Sequence, residues 1–365
     1  MEALSGLHSR RYDRAALLKG VAPKDAIVAS GGICLPGNVD YSVPTFVSAD
    51  RPIRDGLVSF QANRGALRFV QPPDINGGLA AATGIWTEAT DANPGSATKP
   101  VVAVSCGSVE EVFVEGIATR LQFGNMMGRF APEQIAANID IAMAAAARVA
   151  ENNLLALIEA QCVSSVTNSM VVGACRDMLT TIEEFVAAFR NAHRLDESIT
   201  LTAIFPLWLK QVLKVDLQRE IGHSQNAYLD SISPTDEYID GLIKNAGVNP
   251  IWHIDGQAAG SGYGNQYYGL QGNGAILPFP NSGSNIVVRW YCFIEGSMQF
   301  LDGGRLDLGV VRDSVLDSTN DYETFVELFE GLAYRGFQNG AYAFNTTLNV
   351  NGATGGTVAV TATDK

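Results

Sequence analysis

His253 and Asp255, two residues apart, are the pairing in this sequence closest to acid–base or metal chemistry. On a strand they would share one face, with an imidazole and a carboxylate side by side. The plainer reading, a strand-end histidine with a hydrogen-bonding neighbour, is the one favoured here. A glycine-rich stretch follows at once, with seven glycines between Gly256 and Gly274, including Gly260-Ser261-Gly262-Tyr263-Gly264. Dinucleotide binding needs a strand, a glycine turn and then a helix N-terminus. Here Asn265 to Leu270 leads into more glycines and then Pro278 and Pro280, so no helix can aim its dipole at a phosphate. A loop is the better account.

Asp317, Asn320 and Asp321 hint at a calcium loop, but their spacing departs from the EF-hand pattern and its closing glutamate is missing. Helix capping explains Ser318 to Asp321 more simply. Glu110-Glu111 and Glu183-Glu184 read as solvated faces. The four histidines, His8, His193, His223 and His253, lie far apart. The five cysteines, Cys34, Cys106, Cys162, Cys175 and Cys292, include no Cys-x-x-Cys pair. They read as buried free thiols of a reducing compartment. No Walker-type or Gly-x-Ser-x-Gly motif is present. The sequence therefore points to no catalytic residue, no cofactor and no metal set, and to a protein that is not an enzyme.

Of 365 residues, 47% are hydrophobic and 17% charged, which suits a folded, core-forming chain and excludes overall disorder. No stretch approaches 18 uninterrupted apolar residues and no secretory leader opens the sequence, so the expectation is a cytosolic chain without a membrane-spanning helix. Lys and Arg total 25 against 38 Asp and Glu, a net charge of −13. That balance argues against coating nucleic acid, which needs a cationic surface. Arg10, Arg11 and Arg14 form the one dense basic run and read as a solvated helix face.

The elements that would position any site come in a distinctive order. A short helix over Tyr12–Leu18 and extended chain to Ser30-Gly31-Gly32 have too little apolar surface to fold alone. Residues 51–105 turn to strand and loop. Gly56–Gln61 and Leu67–Val70 are predicted strands around an Asn63-Arg64-Gly65 turn. Pro72-Pro73, Gly77-Gly78 and Asn93-Pro94-Gly95 interrupt order before a predicted strand over Val101–Val104. Two strands around such an excursion describe a long projecting hairpin, which cannot bury both faces within one subunit and needs a neighbour.

Then comes a long helix. Pro132 suits its first position, Glu133 favours its N-terminal dipole, and neither Gly nor Pro interrupts until Cys162. About 30 residues at this rise span about 45 Å. Ile135, Ile139, Met143, Ala146, Ala147, Ala150, Leu154, Leu157 and Ile158 make its apolar stripe. Asn152-Asn153 and poor heptad regularity weaken a coiled-coil reading. An α/β region follows, with helices at 181–193, 207–217 and 235–245 and strands at 199–205, 250–254 and 285–295. Tyr322–Phe329 reads as a short helix or the start of a strand, and the tail at 341–362 as strand.

Element order and local motifs together resemble the major capsid proteins of tailed bacteriophages with the Hong Kong 97-like fold, in particular those of long-tailed phages of actinobacteria. The motifs are Ser30-Gly31-Gly32-Ile33-Cys34-Leu35-Pro36, Asn63-Arg64-Gly65-Ala66-Leu67-Arg68-Phe69, Trp86-Thr87-Glu88, Asn153-Leu154-Leu155-Ala156-Leu157-Ile158 and Phe205-Pro206-Leu207-Trp208-Leu209. Leu306-Asp307-Leu308-Gly309-Val310-Val311-Arg312-Asp313-Ser314 and Asn320-Asp321-Tyr322 complete the series.

The resemblance implies an α+β fold with an N-arm over 1–50, an extended loop (E-loop) over 51–105 and a P-domain with its spine helix over 106–162. An A-domain over 163–321 and a return to the P-domain with the tail over 322–365 would follow. It further implies hexamers and pentamers tiling an icosahedral virion shell around double-stranded DNA, which is enclosed without specific binding. Assembly would take place in the host cytoplasm, with scaffold, maturation protease, portal and decoration proteins as further partners and no membrane. An encapsulin-like shell around enzyme cargo is the alternative. No removable N-terminal scaffolding extension is evident. Lys99 is the one lysine of the E-loop segment and lies far from its tip, so no covalent crosslink is expected. Arg64, Arg68, Trp86 and Glu88 are the expected inter-subunit contacts, the arginines meeting carboxylates of an acidic neighbour.

Overall fold

The computed structural model describes residues 43–73, 79–93, 95, 97–104, 107, 109–169, 173–221, 234–255 and 286–348. The chain divides into Met1–Val43 and Pro44–Lys365, and every described helix and strand belongs to the second unit. The expected helix at 12–18, the basic run at 10–14, Cys34, Cys106, His223, the glycine-rich stretch from Gly256 and the tail beyond Leu348 lie outside the described residues.

A helix of 30 residues, Pro132–Gln161, is the longest described element and begins and ends where the sequence predicts. Pro132 occupies its first turn and Glu133 sits at the positive end of its dipole. By length and composition alone this helix would also suffice to cross a membrane. In the fold its Ala144, Ala147, Ala150, Leu154, Leu155 and Ile158 are core residues. Ile139, placed on the buried stripe by its spacing, is instead exposed, as are Ile141 and Val149.

Two sheets meet beside this helix. Strands β1 (Val58–Gln61), β4 (Glu115–Gly124), β9 (Met298–Val311) and β10 (Asp321–Tyr334) form one, in the order β1-β9-β10-β4. Strand β1 runs parallel to β9, and the other pairs are antiparallel. The second sheet has the order β5-β11-β8-β6-β7, from Val163–Ser169, Ala341–Leu348, Ile286–Ile294, Leu201–Pro206 and Val248–His253.

Strand β8 is buried on both faces, its one charged residue, Arg289, being half-buried and bonded to Glu159 and Asn345. Trp290 and Cys292 face a core made with the helices Ala174–His193, Trp208–Ile221 and Asp236–Asn245. Tyr291 and Phe293 face the opposite core, with Leu154, Leu155 and Ile158 of the long helix and Met298, Phe300 and Leu332 of the first sheet. Alternation buried on both faces leaves no solvent-facing side to residues 290–293 of the strand. Trp290 stacks on Phe344 with ring centroids 4.1 Å apart and donates Nε1–H to Thr346 Oγ1 at 3.0 Å.

In chain order the described α-helices are α1 (Pro52–Gly56), α2 (Glu88–Asp91), α3 (Asn125–Phe130), α4 (the long Pro132–Gln161), α5 (Ala174–His193), α6 (Trp208–Ile221), α7 (Asp236–Asn245) and α8 (Ser314–Thr319). The expected capping role of Ser318 to Asp321 takes a different form. Asp313 caps the start of α8, Asn320 ends it in the left-handed region at φ 62°, and the expected short element from Tyr322 is the 14-residue strand β10.

Candidate assembly interface

Strands β2 (Ala66–Val70) and β3 (Val109–Phe113) pair antiparallel as the base of the expected hairpin. Its return strand is β3, whereas Val101–Val104, predicted as strand, is irregular chain. Val101 and Val104 are exposed, and Pro100 at their head offers no amide to a ladder. The Asn63-Arg64-Gly65 turn closes as expected, with Gly65 at φ 75°, a backbone position costly for other residues.

The two faces of this hairpin differ. Phe69 is buried and packs with Leu67 and Val112 against Ala62, just past β1, and Leu301 and Ala333 of the first sheet. This face needs no neighbour. The other face carries the register pairs Ala66–Phe113, Arg68–Glu111 and Val70–Val109. Phe113 is 64% exposed, Val109 63% and Val70 51%, so apolar side chains stand in solvent on either side of one ion pair. A stripe of this kind is common where a second surface docks.

The four residues expected to reach a neighbour are not gathered into one site. Arg68 is bonded within the chain, Nε to Glu111 Oε1 at 2.7 Å and Nη2 to Oε2 at 3.1 Å. Arg64 is exposed in the turn, and no carboxylate pairs with it among the described residues. Trp86 and Glu88 sit on the excursion between β2 and β3. Thr87 caps α2 there, Trp86 Nε1 donates to Asp91 Oδ1 at 3.2 Å, and Lys99 Nζ lies 5.4 Å from the indole centroid. Thus Trp86 and Lys99 hold each other. Glu88 is exposed.

His253 and Asp255 do not face each other as an acid–base pair. His253 ends β7 fully buried, and neither ring nitrogen has a hydrogen-bond partner by ordinary geometry. Burial, helped by the charge of Arg148, pushes its pKa down to about 4. Asp255 turns instead to Arg148 of α4, with Nη1 to Oδ2 at 2.9 Å. Burial raises its carboxyl to about 6, with Glu151 adding to the effect and Arg148 opposing it. The imidazole is buried at the strand end as the plainer reading has it, but its ring nitrogens lack the hydrogen-bonding neighbour that reading expected, and Asp255 is held by Arg148 instead. Among the described residues no His, Cys, Asp and Glu group could hold a metal ion.

Sequence reasoning missed a buried ionic cluster at the root of the hairpin. Arg51, just before α1, reaches Glu151 of α4 at 3.3 Å and Glu330 of β10, with Nη2 to Oε2 at 2.7 Å and a second, shorter Nη1 bond. Glu151 also accepts the backbone N–H groups of Ile53 at 2.8 Å and Arg54 at 3.3 Å. Arg148 donates to the Asp50 carbonyl. The partners lie about a hundred or more positions apart in the chain, so no local pattern announces them.

No protein-family model matches the sequence. No curated protein matches it either. Among solved structures, the capsid of Myoviridae phage XM1 matches at 11% identity with a TM-score of 0.53, over 87% of this chain and 99% of that one. The chain has the Hong Kong 97-like capsid fold. A structure from Microbacterium phage Oxtober96 aligns over 92% of this chain and 100% of its own, at 11% identity and a TM-score of 0.49. The capsid structure of cyanophage P-SCSP1u aligns over 88% and 94%, at 10% identity and 0.46.

Proposed function

We propose that this chain is the major capsid protein of a tailed phage, whose copies join into hexamers and pentamers of an icosahedral virion shell around double-stranded DNA. The fold shared with the phage XM1 capsid over nearly all of that chain carries the reading. Its physical support is the half-satisfied hairpin. A closed ring needs two different patches per subunit, one meeting the other on the next copy. The outer face of β2–β3 supplies one patch that this subunit leaves uncovered.

The segments 1–50, 51–105, 106–162, 163–321 and 322–365 would act as N-arm, E-loop, P-domain with spine helix, A-domain, and return with tail. The acidic balance suits a container whose genome must leave again. Scaffold, protease, portal and decoration proteins would be the further partners, and the role is structural rather than enzymatic.

Electron microscopy of the purified full-length chain is the direct test. Uniform polyhedral particles holding nuclease-protected DNA after expression with the packaging apparatus are expected. Particles that enclose an enzyme instead would favour a nanocompartment, and a monomer at high concentration would overturn both. Arg64 and Arg68 separate in their expected effects. Arg64→Glu reverses a free surface charge and should lower particle yield several-fold with the melting temperature unchanged. Arg68→Glu sets two carboxylates face to face on the hairpin, so its own strand pairing should suffer first. Equal particle counts for Arg64→Glu and the parent chain would remove Arg64 from the interface.

A further inference from the structure

The strap of residues 50–57 rides on the surface of the fold. Arg54, Asp55 and Gly56 are exposed, and only Arg51, Ile53 and Leu57 are buried. Hydrophobic burial has no direction, so Ile53 and Leu57 alone would tolerate sliding along α4. Direction comes chiefly from one carboxylate, with Arg148, one turn before it, donating to the Asp50 carbonyl. Glu151 is wholly buried and receives three donors of the strap, namely Arg51 Nε, Ile53 N–H and Arg54 N–H. Glu330 grips the far side of the same guanidinium. The buried positions in the turns on either side are Ala144, Ala146, Ala147, Ala150, Leu154, Leu155 and Ile158, whose side chains accept no hydrogen bond. Only one seat along the helix is therefore chemically complete. Gly56 fits that seat closely, since a Cβ there would lie 2.6 Å from Ile251 Cδ1 of β7.

We propose that Glu151 is a positioning latch that fixes where the strap, and with it β1 and the hairpin, is seated on the spine helix. Its ionic form serves register more than stability. Ion pairs taken out of water gain little net free energy over well-packed apolar groups, yet they leave a misplaced partner unsatisfied. The strap leads within two residues into β1, an edge strand held by four residues of parallel pairing with β9. A shift of the strap along α4 would carry that pairing, and the turn after it, out of register. The latch depends only on contacts within one subunit and stands whether or not the assembly reading does.

Hydrogen exchange on the full-length chain tests it. Glu151→Gln keeps the shape but offers one acceptor oxygen and an amide donor to three donors. The amides of residues 53–57 should exchange about tenfold faster or more, while α4 and β8 keep their protection. If that variant does not fold, the triple variant Arg51→Met, Glu151→Leu, Glu330→Leu decides. It leaves the Ile53 and Arg54 N–H groups without an acceptor, so it should melt only a few degrees lower and still lose protection at residues 53 and 54. Unchanged exchange at residues 53–57 in either folded variant would show that Ile53, Leu57 and the Arg148–Asp50 contact seat the strap without the carboxylate and would overturn the latch. Failure of the triple variant to fold would overturn the separation of register from stability.

Discussion

Aspartates placed together at Val109 and Phe113 should abolish shell formation while leaving the subunit folded. Both side chains are already more than half in solvent, so the isolated subunit loses little when they change. Their value lies in what covers them on assembly. Completing the burial of Phe113 alone is worth about 1–2 kcal/mol. Burying a carboxylate without a partner costs more than that gain. Each 1.4 kcal/mol lost per contact raises the concentration needed for assembly about tenfold. The same pair changed to serine removes the apolar area without adding charge and should leave a weaker defect, visible as a higher assembly threshold. Sedimentation of lysates and microscopy of the pellet would read both variants, with the urea midpoint of the unassembled chain as the folding control. A normal particle yield from the double aspartate variant would exclude the outer face of β2–β3 from the interface.

The parts of the fold legible in the sequence are those decided by neighbours along the chain. The spine helix is bounded by Pro132 and by the change of pattern at Cys162, and both limits hold to within a residue. Strand β8 announces itself through a run rich in β-branched and aromatic residues, interrupted by Arg289 and Cys292. Long-range pairing is what local pattern misreads. Val101-Val102-Ala103-Val104 has the composition of a strand but no partner, whereas Val109-Glu110-Glu111-Val112-Phe113 looks like a solvated face and is a strand. What decides is Arg68, which meets Glu111 across the ladder at a separation of 43 positions. Glu151 is the sharper case. It stands in Ala150-Glu151-Asn152-Asn153, a polar interruption of an apolar helix, and nothing local says that its carboxylate is the most buried charge in the cluster. Its partner donors come from 97 to 100 positions earlier.

Asp255→Asn should make the chain lose stability on acidification through a window in which the parent chain is nearly flat. Two groups with opposite proton linkage sit two residues apart. His253 has its pKa lowered to about 4 from the ordinary 6.5 by burial. The unfolded chain therefore binds its proton first, and the stability this group gives above pH 6.5 drains away as pH falls towards 4. Asp255 is the reverse, raised to about 6 from 3.8 by burial. Its buried anion weighs on the fold above pH 6, and protonation relieves that load as pH falls towards 4. Each effect amounts to about 3 kcal/mol at most, with opposite sign, and the two nearly cancel between pH 6 and 4. Removing the carboxylate leaves the histidine slope alone. It also leaves the Arg148 charge less balanced beside the imidazole, which steepens that slope. His253→Leu should do the opposite and gain stability as pH falls over the same range. Urea midpoints of the three chains at intervals from pH 7 to pH 4, taken as differences from the parent so that the remaining carboxylates cancel, would measure both slopes. Parallel curves for Asp255→Asn and the parent chain would mean that the two groups do not offset each other. The pair first singled out for its chemistry would then have neither a catalytic nor an electrostatic role.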